Sequence, residues 1–270
     1  MTYLGFLLDE EGLNPDLEKT RPVIEYPAPK TIRELGRFLG LMGWYSRFIA
    51  HESEYKAPLS KLLHKVQAWD WWEEQQRAFE ALKKALCLAP VLARSDFTRA
   101  FKIQCDASGV ALGSVLTKEN ETGEEHPIVY LSKTLDKHEL NYTVSEKELL
   151  AVIWSIEKLR PYVEGYHFTV VTDHNALKWL KNLKDPTGRL ARWALKLQQW
   201  DFDIVHRKGS QHQLPDALPR IYEGGLVEAF KEIKDPIYLR LIEAIEKWPK
   251  KWTMESRKRL HLQTSDQPAV

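Results

Sequence analysis

Apolar and polar positions along this chain change their period near residue 98, and the change divides the sequence. Upstream the spacing is helical. Thr31 and Glu34, just past Pro29, form a Thr-x-x-Glu start signal: the hydroxyl caps one free amide while the carboxylate reaches back to another. Apolar residues at three- and four-residue intervals then predict a helix to about Ile49. Asp70 with Glu73 repeats the signal, and Phe79, Leu82 and Leu86 carry a second helix toward Cys87. Between them Pro58 to Lys65 predicts a short helix with proline in its first turn. Tyr3 to Leu8 predicts a strand, closed by a turn at Asp9-Glu10-Glu11-Gly12.

From about Arg99 to Tyr222 the pattern becomes that of strands and helices in alternation. FKIQCDAS, ALGSVLTK and HPIVYLSKTL are three successive strand-like runs. A helix follows from Val144 to Leu159, capped by Thr143 with Glu146. YHFTVVTD predicts a fourth strand, Asn175–Lys181 and Arg189–Trp200 two helices, FDIVH a fifth strand, and Leu214–Ile221 a last short helix. This order implies a mixed five-stranded sheet flanked by helices, an α/β architecture. Past Gly224-Gly225 there is one amphipathic stretch, Pro236 to Trp248, and then a Lys/Arg-rich polar end of the kind that is usually solvated. The expected organisation is a mostly helical segment over 1–97, an α/β domain over 98–222 and a tail over 223–270.

Composition narrows the class only slightly. With 43% hydrophobic and 29% charged residues, the 270 positions supply core for one large domain or two smaller ones. A net charge of +1 is neutral on nucleic acid, because binding a polyanion needs only a local basic face. Two cysteines, Cys87 and Cys105, make neither a disulfide framework nor a CxxC zinc site. They fit a reducing intracellular compartment, the cytoplasm first and the nucleus second. The start lacks a basic leader region, and no uncharged apolar run approaches the roughly 18–20 residues that span a bilayer. A soluble protein with no membrane partner is expected.

The chemistry concentrates in carboxylates. Asp106 ends the first strand of the α/β zone and Asp173 the fourth, and strand ends share one rim of an α/β sheet, where ligands commonly bind. The helix between them carries Glu146 and Glu148 on either side of its apolar stripe. Helical phase does not choose between the two, but the capping box does: Glu146 has a local task at Thr143, and Glu148 has none. Hard oxygen ligands without His or Cys at ligand spacing suit Mg²⁺ or Mn²⁺ rather than zinc. A lone Asp at a strand end is ordinarily a turn residue, so the signal lies in the combination.

These stretches are where the sequence resembles the ribonuclease H domain of gypsy-type LTR-retrotransposon reverse transcriptases. The matching segments are CDAS at 105–108, GSVLTK at 113–118, YLSKTL at 130–135 and YTVSEKELLAVIWSIEKLRPY at 142–162, then FTVVTDHNALKWL at 168–180, RWALKLQQWDFDIVHRKGSQ at 192–211 and PDALPR at 215–220. Upstream, YLGFLLDEEGLNPD looks like the primer-grip hairpin, and TIRELGRFLGLMGWYSRFI and WEEQQRAFEALKKAL look like the thumb and connection. The tail is similar to the linker before integrase.

The resemblance implies a ribonuclease H-like fold and four metal-holding carboxylates: Asp106, Glu148, Asp173 and Asp216. The fourth lies where the sequence departs from the family's usual ending, at His212, Pro215 and Pro219. A proline inside the last helix costs about 3 kcal/mol, which makes that helix short or kinked. His206 stands where related enzymes often carry a mobile product-release histidine, although a surface histidine at a strand-to-loop junction is the plainer alternative. By the resemblance the reaction is hydrolysis of the RNA strand of RNA–DNA hybrids by two Mg²⁺ or Mn²⁺ ions, which activate water and stabilise the leaving oxygen.

Lys178, Lys181, Arg189, Arg192, Arg207 and Lys208 are the candidate backbone contacts, with Trp179 and Trp193 available for packing or stacking. No YxDD-like polymerase site is present, so this chain alone is not expected to polymerise DNA, and the missing polymerase portion of the polyprotein is a candidate partner. A fragment and a truncated, host-retained reading frame are both open, as is the oligomeric state. Two rival readings also stay open: a nucleic-acid-binding or scaffold module whose nuclease has decayed, and a protein-interaction role for the helical segment.

Overall fold

In a computed structural model of the chain, residues 1–10, 12–64, 68–173 and 188–207 are described. The helices expected over 175–181, 214–221 and 236–248 lie outside these residues. Three short strands open the chain, β1 (Thr2–Tyr3), β2 (Phe6–Leu8) and β3 (Leu13–Pro15), paired antiparallel in sequence order. The single strand expected over 3–8 is therefore a hairpin. Leu4 and Gly5 both take positive φ, 51° and 82°, the backbone hand of a tight two-residue turn.

Helix α1 (Leu17–Ile24) follows, capped by the Asp16 carboxylate on the Glu18 amide. The Thr31 signal starts α2 (Ile32–Trp44), where Thr31 Oγ1 accepts from the Glu34 amide at 3.2 Å. This helix ends five residues earlier than its apolar spacing suggests. A 3₁₀ turn (Ser46–Phe48) and a left-handed His51 lead into α3 (Glu52–Lys61), which begins ahead of Pro58 rather than at it. Helix α4 (Glu73–Cys87) starts at Trp72, whose amide donates to Gln75 Oε1, and not at Asp70.

The second sheet is built from β4 (Phe101–Ala107), β5 (Ala111–Glu119), β6 (Glu125–Thr134), β7 (Phe168–Thr172) and β8 (Phe202–His206). Its order is β6-β5-β4-β7-β8; β4, β5 and β6 are antiparallel, while β4, β7 and β8 run parallel. Helix α5 (Val144–Lys158), the short α6 (Arg160–Val163) and α7 (Gly188–Gln198) supply the helical layer.

Period-two alternation gives the sheet two apolar faces. Phe101, Ile103 and Cys105 of β4, Leu112 and Leu116 of β5, and Phe168 and Val170 of β7 share a core with Leu149, Val152, Ile153 and Ile156 of α5. Val115 and Tyr130 point the other way and belong to the core of the upstream segment, with Phe38, Met42, Phe48, Ile49, Phe79 and Leu82. The segments divided at residue 97 by pattern thus share a core, and Met1–Pro219 is one compact unit.

Phe79 is 1% exposed, its ring tilted against that of Phe38 with centroids 4.5 Å apart. Phe79→Ala should cost about 3–5 kcal/mol. Thermal unfolding followed by circular dichroism should show one transition, shifted down. Two separated transitions would mean that the helical segment and the sheet unfold independently.

Candidate metal centre

The sheet register brings the two aspartates together. Gln104 of β4 pairs with Val171 of the parallel β7, and Asp106 and Asp173 each stand two residues further along. Both therefore leave the same rim. Helix α5 packs over β4, and its capping box is made as its residues suggest: the Thr143 amide donates to Glu146 Oε2 at 2.9 Å, and the Glu146 amide donates to Thr143 Oγ1 at 3.3 Å. Glu146 is thereby committed to the helix start. Glu148 projects into the core side of the rim, 5% exposed.

Carboxylate oxygens of Asp106, Glu148 and Asp173 lie within 4.8 Å of one another, the one such group among the described residues. Burial and then the charges of Asp106 and Asp173 push the Glu148 carboxyl up to about 8, against a partial offset from the Ala107 amide. Burial also raises Asp106, offset in part by the nearby His51 and reinforced by Asp173.

A divalent cation fits this donor set. Glu148 Oε2 is buried without a hydrogen-bond partner, a state that costs free energy until a partner replaces the lost water. Three hard oxygen donors match Mg²⁺ or Mn²⁺. Beside them the Cys105 thiol is fully buried and pushed up to about 12, so it is no competing soft ligand.

The other candidates are placed unevenly. Asp216, Lys178, Trp179, Lys181 and Lys208 lie outside the described residues. His206 closes β8 opposite Thr172, the residue before Asp173, and is half-buried. Arg192 is exposed on α7. Arg189 is held at the start of α5, 3.9 Å over the Tyr142 ring and 3.3 Å from Glu146 Oε1. Trp193 leans on the same tyrosine and on the core.

Arg207 is not a free cation. Its guanidinium donates to both Glu125 oxygens, at 3.0 and 2.7 Å, and holds that carboxyl down at about 2. Lys102 and Gln104 donate to the same carboxylate at 3.1 and 2.7 Å. Arg207→Ala is expected to lower stability by about 1–3 kcal/mol through loss of the two charge-assisted bonds to Glu125, which keeps only Lys102 and Gln104. It should leave the salt slope of hybrid binding unchanged, whereas loss of a phosphate contact would lower that slope by about one.

His51 and Glu54, from the start of α3, also act on Asp106, and pattern reading missed both. The available signal was Gly113: a glycine inside an apolar strand marks close approach by another group.

A mixed sheet of this order, with an α-helix lending a glutamate to two strand-end aspartates, defines a ribonuclease H-like fold with an acidic centre. Residues 96–200 match the family model described as the RNase H-like domain found in reverse transcriptase.

Over 220 residues it is 38% identical to the retrovirus-related Pol polyprotein from transposon 297 of Drosophila melanogaster, covering 81% of this chain and 20% of the relative. Over 225 residues it is 37% identical to the transposon Tf2-3 polyprotein of Schizosaccharomyces pombe, covering 82% of this chain and 17% of the relative. The chain thus spans about a fifth of the length of these relatives. Among solved structures, the foamy viral protease–reverse transcriptase in complex with RNA/DNA hybrid shares the fold with a TM-score of 0.65 at 24% identity, over 77% of this chain and 29% of that one. No helix among the described residues is long and apolar enough to cross a membrane.

Proposed function

We propose that the chain carries a metal-dependent ribonuclease that hydrolyses the RNA strand of RNA–DNA hybrids, as part of a retrotransposon reverse transcriptase. The observation that carries this reading is the convergence of Asp106, Glu148 and Asp173 from three elements to within 4.8 Å, with one Glu148 oxygen buried and unpartnered. The similar foamy viral structures, solved with RNA/DNA hybrid and with double-stranded DNA, support the class of partner.

In this reading Asp106, Glu148 and Asp173 hold the ions, and Asp216 is the fourth ligand. Divalent metal bound there would lower the pKa of a water and stabilise the leaving 3′ oxygen. The protein contributes position: β4 and β7 fix two carboxylates by register, and α5 fixes the third by packing. Discrimination of RNA from DNA falls to contacts with 2′-hydroxyls. Arg192, exposed on α7, is the described cation best placed for backbone charge. His206, at the rim of β8, takes the product-release role. The polymerase portion of a longer polyprotein is the natural partner.

Incubation of the folded chain with a labelled hybrid in Mg²⁺ or Mn²⁺ should cut the RNA strand and spare the DNA strand. Intact RNA in both metals would defeat the proposal. A second reading, binding without cleavage, draws on the departures at His212, Pro215 and Pro219 around the fourth carboxylate. Hybrid binding that persists without metal and without cutting would select it.

A further inference from the structure

Across three strands of the sheet, one row of residues runs Asp106, Gly113, Ser132: Asp106 pairs with Gly113, and Gly113 with Ser132. All three lie on the face covered by the upstream segment. The start of α3 sits directly over this row. Ser53 donates its amide and its hydroxyl to Ser132 Oγ at 2.9 and 3.0 Å. His51 lies over Gly113: a Cβ built on that glycine would fall 2.9 Å from Nδ1 and 3.0 Å from Cε1 of the imidazole. The ring thus occupies the space that a side chain at 113 would take.

The backbone is arranged to deliver that ring. His51 has φ 51° and ψ 27°, a left-handed conformation that few side-chain-bearing residues adopt, and its ring makes no capping bond to the helix it precedes. Directly opposite residues of an antiparallel pair have their Cβ atoms about 4.5–5.5 Å apart, so a group filling the place of residue 113 stands beside the Asp106 carboxylate.

We propose that His51 is a positioning residue of the acidic centre, supplied by the segment upstream of the sheet, which fills the site over Gly113 and holds Asp106 turned toward Glu148 and Asp173 to receive a divalent cation. The proposal rests on the reading of those carboxylates as a metal site. The electrostatic influence of His51 on Asp106 agrees with the placement. It follows that the centre is not complete within the sheet domain: one of its supports comes from before residue 97. Groups that orient a metal ligand from outside the coordination sphere typically change affinity by about 10–100-fold when removed.

The test uses the full chain without nucleic acid and reads Mn²⁺ uptake from the electron paramagnetic resonance of the free ion, with melting temperature alongside. His51→Asn tolerates the left-handed backbone but is too short to replace the ring. It should bind Mn²⁺ about tenfold more weakly while melting as the wild type does. Gly113→Ala, which displaces the ring, should weaken uptake similarly. The double variant Gly113→Ala/His51→Gly relieves the clash and should melt normally, yet remain weak.

Wild-type affinity in His51→Asn, or its recovery in the double variant, would overturn the proposal by reducing the ring to filler. A wild-type chain that takes up Mn²⁺ but cuts no hybrid would end the nuclease reading alone, with the affinity comparisons still deciding the role of His51. A chain that takes up no Mn²⁺ overturns both.

Discussion

Asp106→Asn should reduce metal-dependent cutting of an RNA–DNA hybrid at least about a thousandfold, the rate equivalent of the several kcal/mol that a metal centre supplies. Asparagine keeps the shape of the side chain and one oxygen, so β4 and its pairing with β5 and β7 need not change. What is lost is charge at the point where three carboxylates meet within 4.8 Å. The same substitution should make the metal-free protein slightly more stable, because it removes one of the two charges that repel Glu148. Loss of cutting with a maintained or raised melting temperature is the expected pair of results. A variant that loses cutting because it has unfolded would carry no information about charge, which is why the two measurements belong together.

Glu148→Gln should have its largest effect on the metal-free protein, and the effect should depend on pH. Burial first, then Asp106 and Asp173, raise the folded-state Glu148 carboxyl to about 8, above its unfolded value. A group raised in this way favours the folded state fully below the unfolded pKa, and that contribution is lost as pH rises through the folded one. The wild-type chain should therefore lose stability between about pH 4.5 and pH 8 on account of this residue. Glutamine, neutral throughout, has no such loss. The variant should match the wild type near pH 4.5 and exceed it by roughly 2–4 kcal/mol above pH 8, from 1.36 kcal/mol per pKa unit discounted for relaxation around a coupled group. Saturating Mg²⁺ should reverse the order, because the ion binds the folded wild type through the carboxylate that glutamine lacks. Denaturant titrations at two pH values, with and without Mg²⁺, test this directly. Equal stability of the two proteins at pH 8.5 without metal would show that Glu148 is not held in the buried state described.

The parts of this molecule legible from its residues are those governed by local periodicity. The β4, β5, β6 and β7 runs are legible as apolar-rich stretches of strand length because most of their residues are buried, and the Thr143–Glu146 box starts α5 where the pattern puts it. That box also separates Glu148 from Glu146, which no helical phase could do. Prolines stand inside two upstream helices: Pro58, read from the pattern as first-turn, lies well into α3, and Pro22 lies in α1, a helix the pattern does not predict. The Leu4–Gly5 turn was hidden because leucine at positive φ contradicts local preference.

Tertiary partners were invisible for a different reason. Arg207 reads as a free cation until Glu125, 82 positions away, is seen to hold it. His51 has no local mark at all. Its relation to Asp106 exists only once α3 is laid on the sheet, and the one trace in sequence is a glycine at 113. The shared core around Val115 and Tyr130 belongs to the same category, since β-strand alternation shows that a face is apolar without showing what covers it.

Anomalous diffraction from crystals of the chain grown or soaked in Mn²⁺ tests the central claim most directly. Manganese should appear at the rim of β4 and β7, about 2.1 Å from oxygens of Asp106, Glu148 and Asp173. Saturating Mn²⁺ with no anomalous peak among those three side chains, in crystals of the folded protein, would contradict it.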